Sequence, residues 1–180
     1  MAPQGQLRLE LIEDIKKAAL LHGEFTLRSG KKSNYYLDKY LFGTDPKILE
    51  SLVPYIIEKL PASDSYDRLA GPELGAITLT TAVALKTGKP FVLVRKQSKE
   101  YGTAKEFEGR LEKGERVVLI EDILTTAGAA LSAAERLRAW GVEIVKIVGI
   151  IDRQEGAREN IEKAGFKMDA VLTKTDLGIA

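Results

Sequence analysis

Glu121 and Asp122 stand side by side after the apolar run 117–120, and Thr125, Thr126, Ala127, Gly128 and Ala129 follow almost at once. The order reads as a buried strand, two carboxylates, and a small, hydroxyl-rich turn opening a helix. Small residues after Leu124 let backbone N–H groups approach a ligand closely, and the helix behind them points its positive end the same way. The two threonine hydroxyls add donors, so the turn suits a phosphate monoester. Ionised carboxylates beside it repel a polyphosphate but accept hydrogen bonds from a sugar diol. The combination fits a ribose 5-phosphate. A nucleoside triphosphate loop would need Gly-x-x-x-x-Gly-Lys followed by Ser or Thr, and the chain has none. An isolated Glu-Asp pair reads as a helix cap, but the strand, the pair and the small-residue turn together read as a site.

These residues need elements to hold them. Helical spacing runs over about 7–21, leaving His22 as a cap at the end of that helix. Segments 25–28 and 35–39 read as a hairpin. Asp45-Pro46 starts a helix running to about Leu60, with Pro54 inside it. Strands are expected at 68–71, 91–94, 117–120, 144–151 and 170–172. Helices are expected at 76–86, 129–140 and 155–164, with Trp140 as packing at a helix end. The stretch 97–113 is polar, carries no sustained period, and reads as a lid or binding loop. Strands alternating with helices predict an α/β fold, a mainly parallel sheet flanked by helices. In such sheets ligands gather beyond the carboxyl ends of the strands. Glu121-Asp122, Arg95-Lys96, Asp152-Arg153 and the turn 72–75 all fall at such ends.

A length of 180 residues suits one domain, 1–180, with the first helix and hairpin, about 1–40, as a small N-terminal hood. Lys plus Arg number 27 against 26 Asp plus Glu, so a net charge of +1 gives no general attraction to nucleic acid or membrane. The chain lacks a bilayer-length apolar run, a signal peptide and cysteine, which points to a cytoplasmic enzyme or binding protein. Two Met, few Asn and 29% charged residues fit a thermophilic source.

The stretch VVLIEDILTTAGAA resembles the phosphoribosyl pyrophosphate motif of the type I phosphoribosyltransferases. Other segments resemble the orotate-using branch of that family: 25–33 with Tyr35-Tyr36 its N-terminal hairpin, 95–102 with Glu108-Gly109 its mobile catalytic loop, and 151–156 its orotate-binding strand end. The resemblance implies transfer of the 5-phosphoribosyl group from phosphoribosyl pyrophosphate to orotate. The products are orotidine 5-monophosphate and pyrophosphate, in de novo pyrimidine (UMP) biosynthesis. It implies catalytic roles for Lys99, Asp122 and Glu121. Phosphoribosyl pyrophosphate would meet Arg28, Glu73, Leu74, Arg95, Lys96, Lys99 and Tyr101. It would also meet the motif itself, Glu121, Asp122, Ile123, Leu124, Thr125, Thr126, Ala127, Gly128 and Ala129. Orotate would meet Tyr36, Leu37, Thr125 and Arg153, whose planar fork of donors suits a carboxylate. Mg2+ would be held mainly through substrate oxygens, with no direct protein ligand. A homodimer is implied, each loop reaching the partner's site.

The chain departs from the family pattern in four places. Ala127 stands where glycine is commoner, Tyr101 where histidine is usual, Arg28 where lysine is frequent, and Glu73-Leu74 where some members have Tyr-Lys. The last removes one basic contact to pyrophosphate and predicts greater dependence on magnesium. Two other readings stay open here: a phosphoribosyltransferase for another base, and a phosphoribosyl pyrophosphate-sensing regulator.

Overall fold

Successive side chains of a strand point to opposite faces, so a wholly apolar strand needs cover on both sides. Val117, Val118, Leu119 and Ile120 are all fully buried. Their strand lies inside a six-stranded sheet in the computed structural model, which describes residues 4–26, 30, 32–96 and 106–179. In chain order the first elements are α1 (Gln4–Ala19), β1 (Leu20–Thr26), β2 (Lys32–Leu37), α2 (Lys39–Gly43), α3 (Pro46–Lys59), β3 (Arg68–Pro72) and α4 (Ala76–Thr87). Then come β4 (Phe91–Val94), β5 (Phe107–Glu108), β6 (Arg116–Leu124), α5 (Gly128–Trp140), β7 (Glu143–Asp152), α6 (Ala157–Lys163) and β8 (Met168–Thr173). The sheet order is β5-β4-β3-β6-β7-β8, parallel throughout except the edge pair β4–β5. The mainly parallel sheet expected from the sequence is therefore present.

The two faces carry two cores. Val118 and Ile120 pack with Leu11 and Ile15 of α1, Leu52 and Ile56 of α3, and Leu79 and Val83 of α4. Val117 and Leu119 face the other way, onto Ala130, Ala133, Ala134 and Leu137 of α5 and Ile161 of α6. α1 thus contributes to the main core, while β1 and β2 form a separate two-stranded sheet. Parallel register brings strand ends together: Pro72 lies beside Val94, Leu124 beside Asp152, and Asp152 beside Thr173.

Several boundaries differ from expectation. α1 stops at Ala19 because Leu20 and Leu21 pair with Leu37 and Tyr36, and Asp38 N–H donates to the Ala19 carbonyl at 2.9 Å. His22 is consequently a strand residue opposite Tyr35, not a helix cap. The expected strand 35–39 ends at Leu37, where Asp38 caps a short helix by accepting from Tyr40 N–H at 3.0 Å. Asp45 caps α3 as expected, accepting from Lys47 and Ile48 N–H with Pro46 next in line. β6 runs on through the two acids to Leu124, so these belong to the strand itself. β5 interrupts the expected loop, and Trp140 packs edge-on against its Phe107, ring centroids 5.9 Å apart. Among the described residues no helix is long and apolar enough to cross a membrane.

Leu137 anchors α5 to the sheet and is fully buried. Leu137→Ala is expected to lower the unfolding free energy by about 2–5 kcal/mol, read from denaturant titration.

Candidate active site

The last residues of β6 set the site. Glu121 and Asp122 are both buried, 6% and 2% exposed. A carboxyl out of water resists ionising, and a like charge beside it resists further. Burial first, then Asp122, push the Glu121 carboxyl up to about 8. The sequence reading took both acids as ionised, but this environment keeps a proton on Glu121 near neutral pH. Glu121 Oε2 is buried without a hydrogen-bond partner among the described residues.

Asp122 has a counter-charge that sequence reasoning missed. Lys39, first residue of α2, places its Nζ 2.8 Å from Asp122 Oδ2. Burial works against the Lys39 ammonium, but its close ion pair with Asp122 and the nearby acid charges outweigh that and raise its pKa. The approach needs Gly75. A Cβ there would lie 1.7 Å from Asp122 Oδ2 and 3.2 Å from Lys39 Cε. Gly75 has ordinary helical backbone angles, so the requirement is space rather than conformation.

Beyond β6 the turn enters α5 at Ala127, with φ 63° and ψ 14°. This left-handed conformation is where glycine is at ease, which explains why glycine suits the position. No side chain of a described residue caps α5, so its first N–H groups are available to an anion. Asn160 of α6 braces the turn by donating to the Thr126 carbonyl at 3.0 Å. Arg153 N–H does the same for the Leu124 carbonyl at 2.8 Å.

A cavity of about 590 Å³ opens beside the acids. It gathers the predicted Glu73, Leu74, Arg95, Lys96, Glu121 and Ala129, and adds Lys39, Tyr40 and Arg136. Ala129, Ser132, Ala133 and Arg136 follow the i, i+3, i+4, i+7 spacing of one face of α5. That spacing was the signal by which Arg136 could have been found. Arg136 donates to the Arg95 carbonyl at 2.7 Å, and Lys96 N–H donates to Glu73 Oε1 at 2.7 Å. The first bond ties α5 to the exit of β4, and the second ties the exits of β3 and β4 together. The peptide between Glu73 and Leu74 is cis.

Asp122, Ile123 and the turn from Leu124 to Gly128 stand outside the cavity lining, the turn at the entry of α5. The predicted base wall is divided. Burial alternates along β2, so Leu37 turns into the core while Tyr36 faces outward against Phe25, ring centroids 5.6 Å apart. Tyr35 is the tyrosine that meets Arg153, accepting from Nη2 at 2.9 Å, with the guanidinium 5.5 Å from its ring centroid. Glu155 also pairs with Arg153, at 2.9 Å. Arg28, Lys99 and Tyr101 lie outside the described residues.

A phosphoribosyl transferase domain model matches residues 47–175. The orotate phosphoribosyltransferase of Pyrococcus horikoshii is 45% identical over 164 residues, 91% of this chain and 88% of that protein. Among solved structures, the orotate phosphoribosyltransferase of Mycobacterium tuberculosis H37Rv in complex with Fe(III) dicitrate superposes with a TM-score of 0.84 and 32% identity. That likeness covers 96% of this chain and 99% of the other. A second structure from that organism, in complex with 5-phospho-α-D-ribosyl 1-diphosphate, gives a TM-score of 0.81 and 30% identity over the same shares.

Glu121 holds its proton in the folded chain between its free value of 4.5 and about 8, where an unfolded chain has lost it. Stability therefore falls as pH rises across that window, by up to about 1.4 kcal/mol per pH unit from this group. Glu121→Gln is expected to remove that slope, seen by comparing denaturant unfolding at about pH 5.5 and about pH 7.5. Gly75→Ala is expected to cost about 1–3 kcal/mol by overpacking Asp122. Thermal unfolding of that variant checks the sign.

Proposed function

The chain belongs to the orotate phosphoribosyltransferase family, and on that premise we propose how its residues divide the work. The enzyme transfers the 5-phosphoribosyl group from phosphoribosyl pyrophosphate to orotate. It releases orotidine 5-monophosphate and pyrophosphate, in pyrimidine biosynthesis. The single observation that carries the division of roles is the buried acid pair beside the uncapped start of α5.

Breaking the anomeric C–O bond builds positive charge on the sugar and negative charge on the leaving pyrophosphate, so preorganised charge of both signs is needed. In this reading the 5-phosphate sits on the N–H groups and hydroxyls of Thr125, Thr126, Ala127, Gly128 and Ala129. Leu124 and Ile123 set the approach. Asp122 accepts from a ribose hydroxyl, and Glu121, while protonated, can both donate and accept there. Their side favours positive charge on the ring. Arg95 and Lys96 face the pyrophosphate, with Glu73 and Leu74 forming the wall below. Arg28, Lys99 and Tyr101 complete that side, with Lys99 stabilising the transition state.

Arg153 takes the orotate carboxylate edge, Thr125 the base, and Tyr36 and Leu37 the hairpin side. Leu37 would act there through its backbone, its side chain being in the core.

Magnesium fits this donor set as an ion carried by the substrate. Among the described residues no group of three or more His, Cys, Asp or Glu could hold a metal, while Glu121 Oε2 is one buried oxygen without a partner. When bound, Mg2+ neutralises charge on the pyrophosphate oxygens. A homodimer with shared sites, one domain spanning 1–180, and a cytoplasmic location belong to the same proposal. The location follows from substrates that are multiply charged anions and do not diffuse through a bilayer.

The test is loss of orotate ultraviolet absorbance on mixing protein, phosphoribosyl pyrophosphate and Mg2+. Asp122→Asn and Lys99→Ala are each expected to lower turnover on the order of a hundredfold. Wild-type protein that binds phosphoribosyl pyrophosphate yet leaves orotate untouched would refute the assignment.

A further inference from the structure

Lys39 is the one cation of this site that approaches from α2 rather than from a strand end or from α5. It lines the cavity together with Arg95, Lys96 and Arg136. Its side chain is 35% exposed, whereas that of Asp122 is only 3% exposed. The two ends of the ion pair therefore differ in freedom. Asp122 is fixed by the strand and by Ile123 N–H, which donates to its Oδ1 at 2.6 Å. Lys39 is a flexible stem with three donors and a point charge, held at its root by the Asp38 cap.

The two arginines of the cavity have less freedom. Arg95 pairs with Glu108 at 3.3 Å, and Arg136 is committed to the carbonyls of Arg95 and Ser132. The turn after β3 supplies Glu73 and Leu74 to the cavity wall and no cation. The Lys39 stem crosses that turn at Gly75, the position where a Cβ would lie 3.2 Å from its Cε.

We propose that Lys39 is a binding residue for the pyrophosphate limb of phosphoribosyl pyrophosphate, released to it when ribose hydroxyls take over Asp122. This rests on the function proposed above. In the free protein the ammonium neutralises Asp122. With the sugar in place, Asp122 gains hydroxyl donors and the diphosphate brings several negative charges into the cavity that Lys39 lines. The ammonium moves to those oxygens while Asp122 stays where the strand holds it. Lys39 thereby supplies the cation that the β3 turn lacks.

Two ligands separate this role from a purely structural one: phosphoribosyl pyrophosphate, and ribose 5-phosphate, which lacks the diphosphate. Affinities are measured by titration calorimetry with Mg2+ on wild type, Lys39→Met, Lys39→Gln and Lys39→Arg. Losing a charge-assisted contact should weaken phosphoribosyl pyrophosphate by about ten- to a hundredfold in the Met and Gln variants, and ribose 5-phosphate by less than about threefold. Lys39→Arg should recover most of the lost affinity. Gln keeps a hydrogen-bond donor toward Asp122 without the charge, so it answers the question even if the Met variant does not fold. Equal weakening of both ligands would show a clamp on Asp122 only and overturn the proposal, as would unchanged binding of phosphoribosyl pyrophosphate. Wild-type protein that binds neither sugar phosphate would instead sink the function on which the proposal rests.

Discussion

Burying two carboxyl groups on consecutive residues is costly, because each resists ionisation out of water and each makes the other's charge harder to hold. Much of the site can be understood as the accommodation of Glu121 and Asp122. A proton stays on Glu121, an ammonium from α2 comes to Asp122, and Gly75 leaves room for both to meet. Because Lys39 arrives on the segment that follows the β1–β2 hairpin, the same pair ties that hairpin to the sheet. Removing any one of the three leaves a buried acid without its compensation.

The sheet supplies the other half of the arrangement. Parallel strands put all their carboxyl ends on one edge, and the observed register aligns Pro72 with Val94 and Leu124 with Asp152. Four polar clusters separated widely in sequence are thereby brought to one rim. Small residues on the inner face of α5, Ala130, Ala133 and Ala134, let that helix lie against the sheet and aim its start at the rim. Backbone donors at that start and side-chain cations around the cavity then come from different elements, each fixed by its own packing.

The sheet was readable because its signals are local. Val117 to Ile120 is apolar at every position, the turn after it is composed of small residues, and Gly141 closes α5 in a left-handed conformation. The hairpin region was harder because its structure is decided by partners far along the chain. Leu20 and Leu21 continue the apolar spacing of α1, and only pairing with Leu37 and Tyr36 turns them into strand. α2 has five residues, too few for a period to show. Lys39 was missed for the same reason, since its partner lies 83 residues away on β6 and nothing beside it in sequence marks the contact. The contact of Arg153 with Tyr35 was legible only through the alternation of β2, in which buried Leu37 shares its face with Tyr35 and Tyr36 faces the other way. Arg136 was legible in principle, from its place on the Ala129 face of α5.

The left-handed backbone at Ala127 bears on how this turn can drift over evolutionary time. A methyl-bearing residue in that conformation costs about 1–2 kcal/mol, which glycine avoids. Glycine, though, gives up the buried methyl, worth about 0.8 kcal/mol, and restores about 0.5–1 kcal/mol of chain entropy to the unfolded state. The terms nearly cancel, and the side chain is only 4% exposed, so nothing larger fits easily. Alanine and glycine at position 127 therefore give nearly equal folding free energies, while a larger side chain would have to displace its packed neighbours.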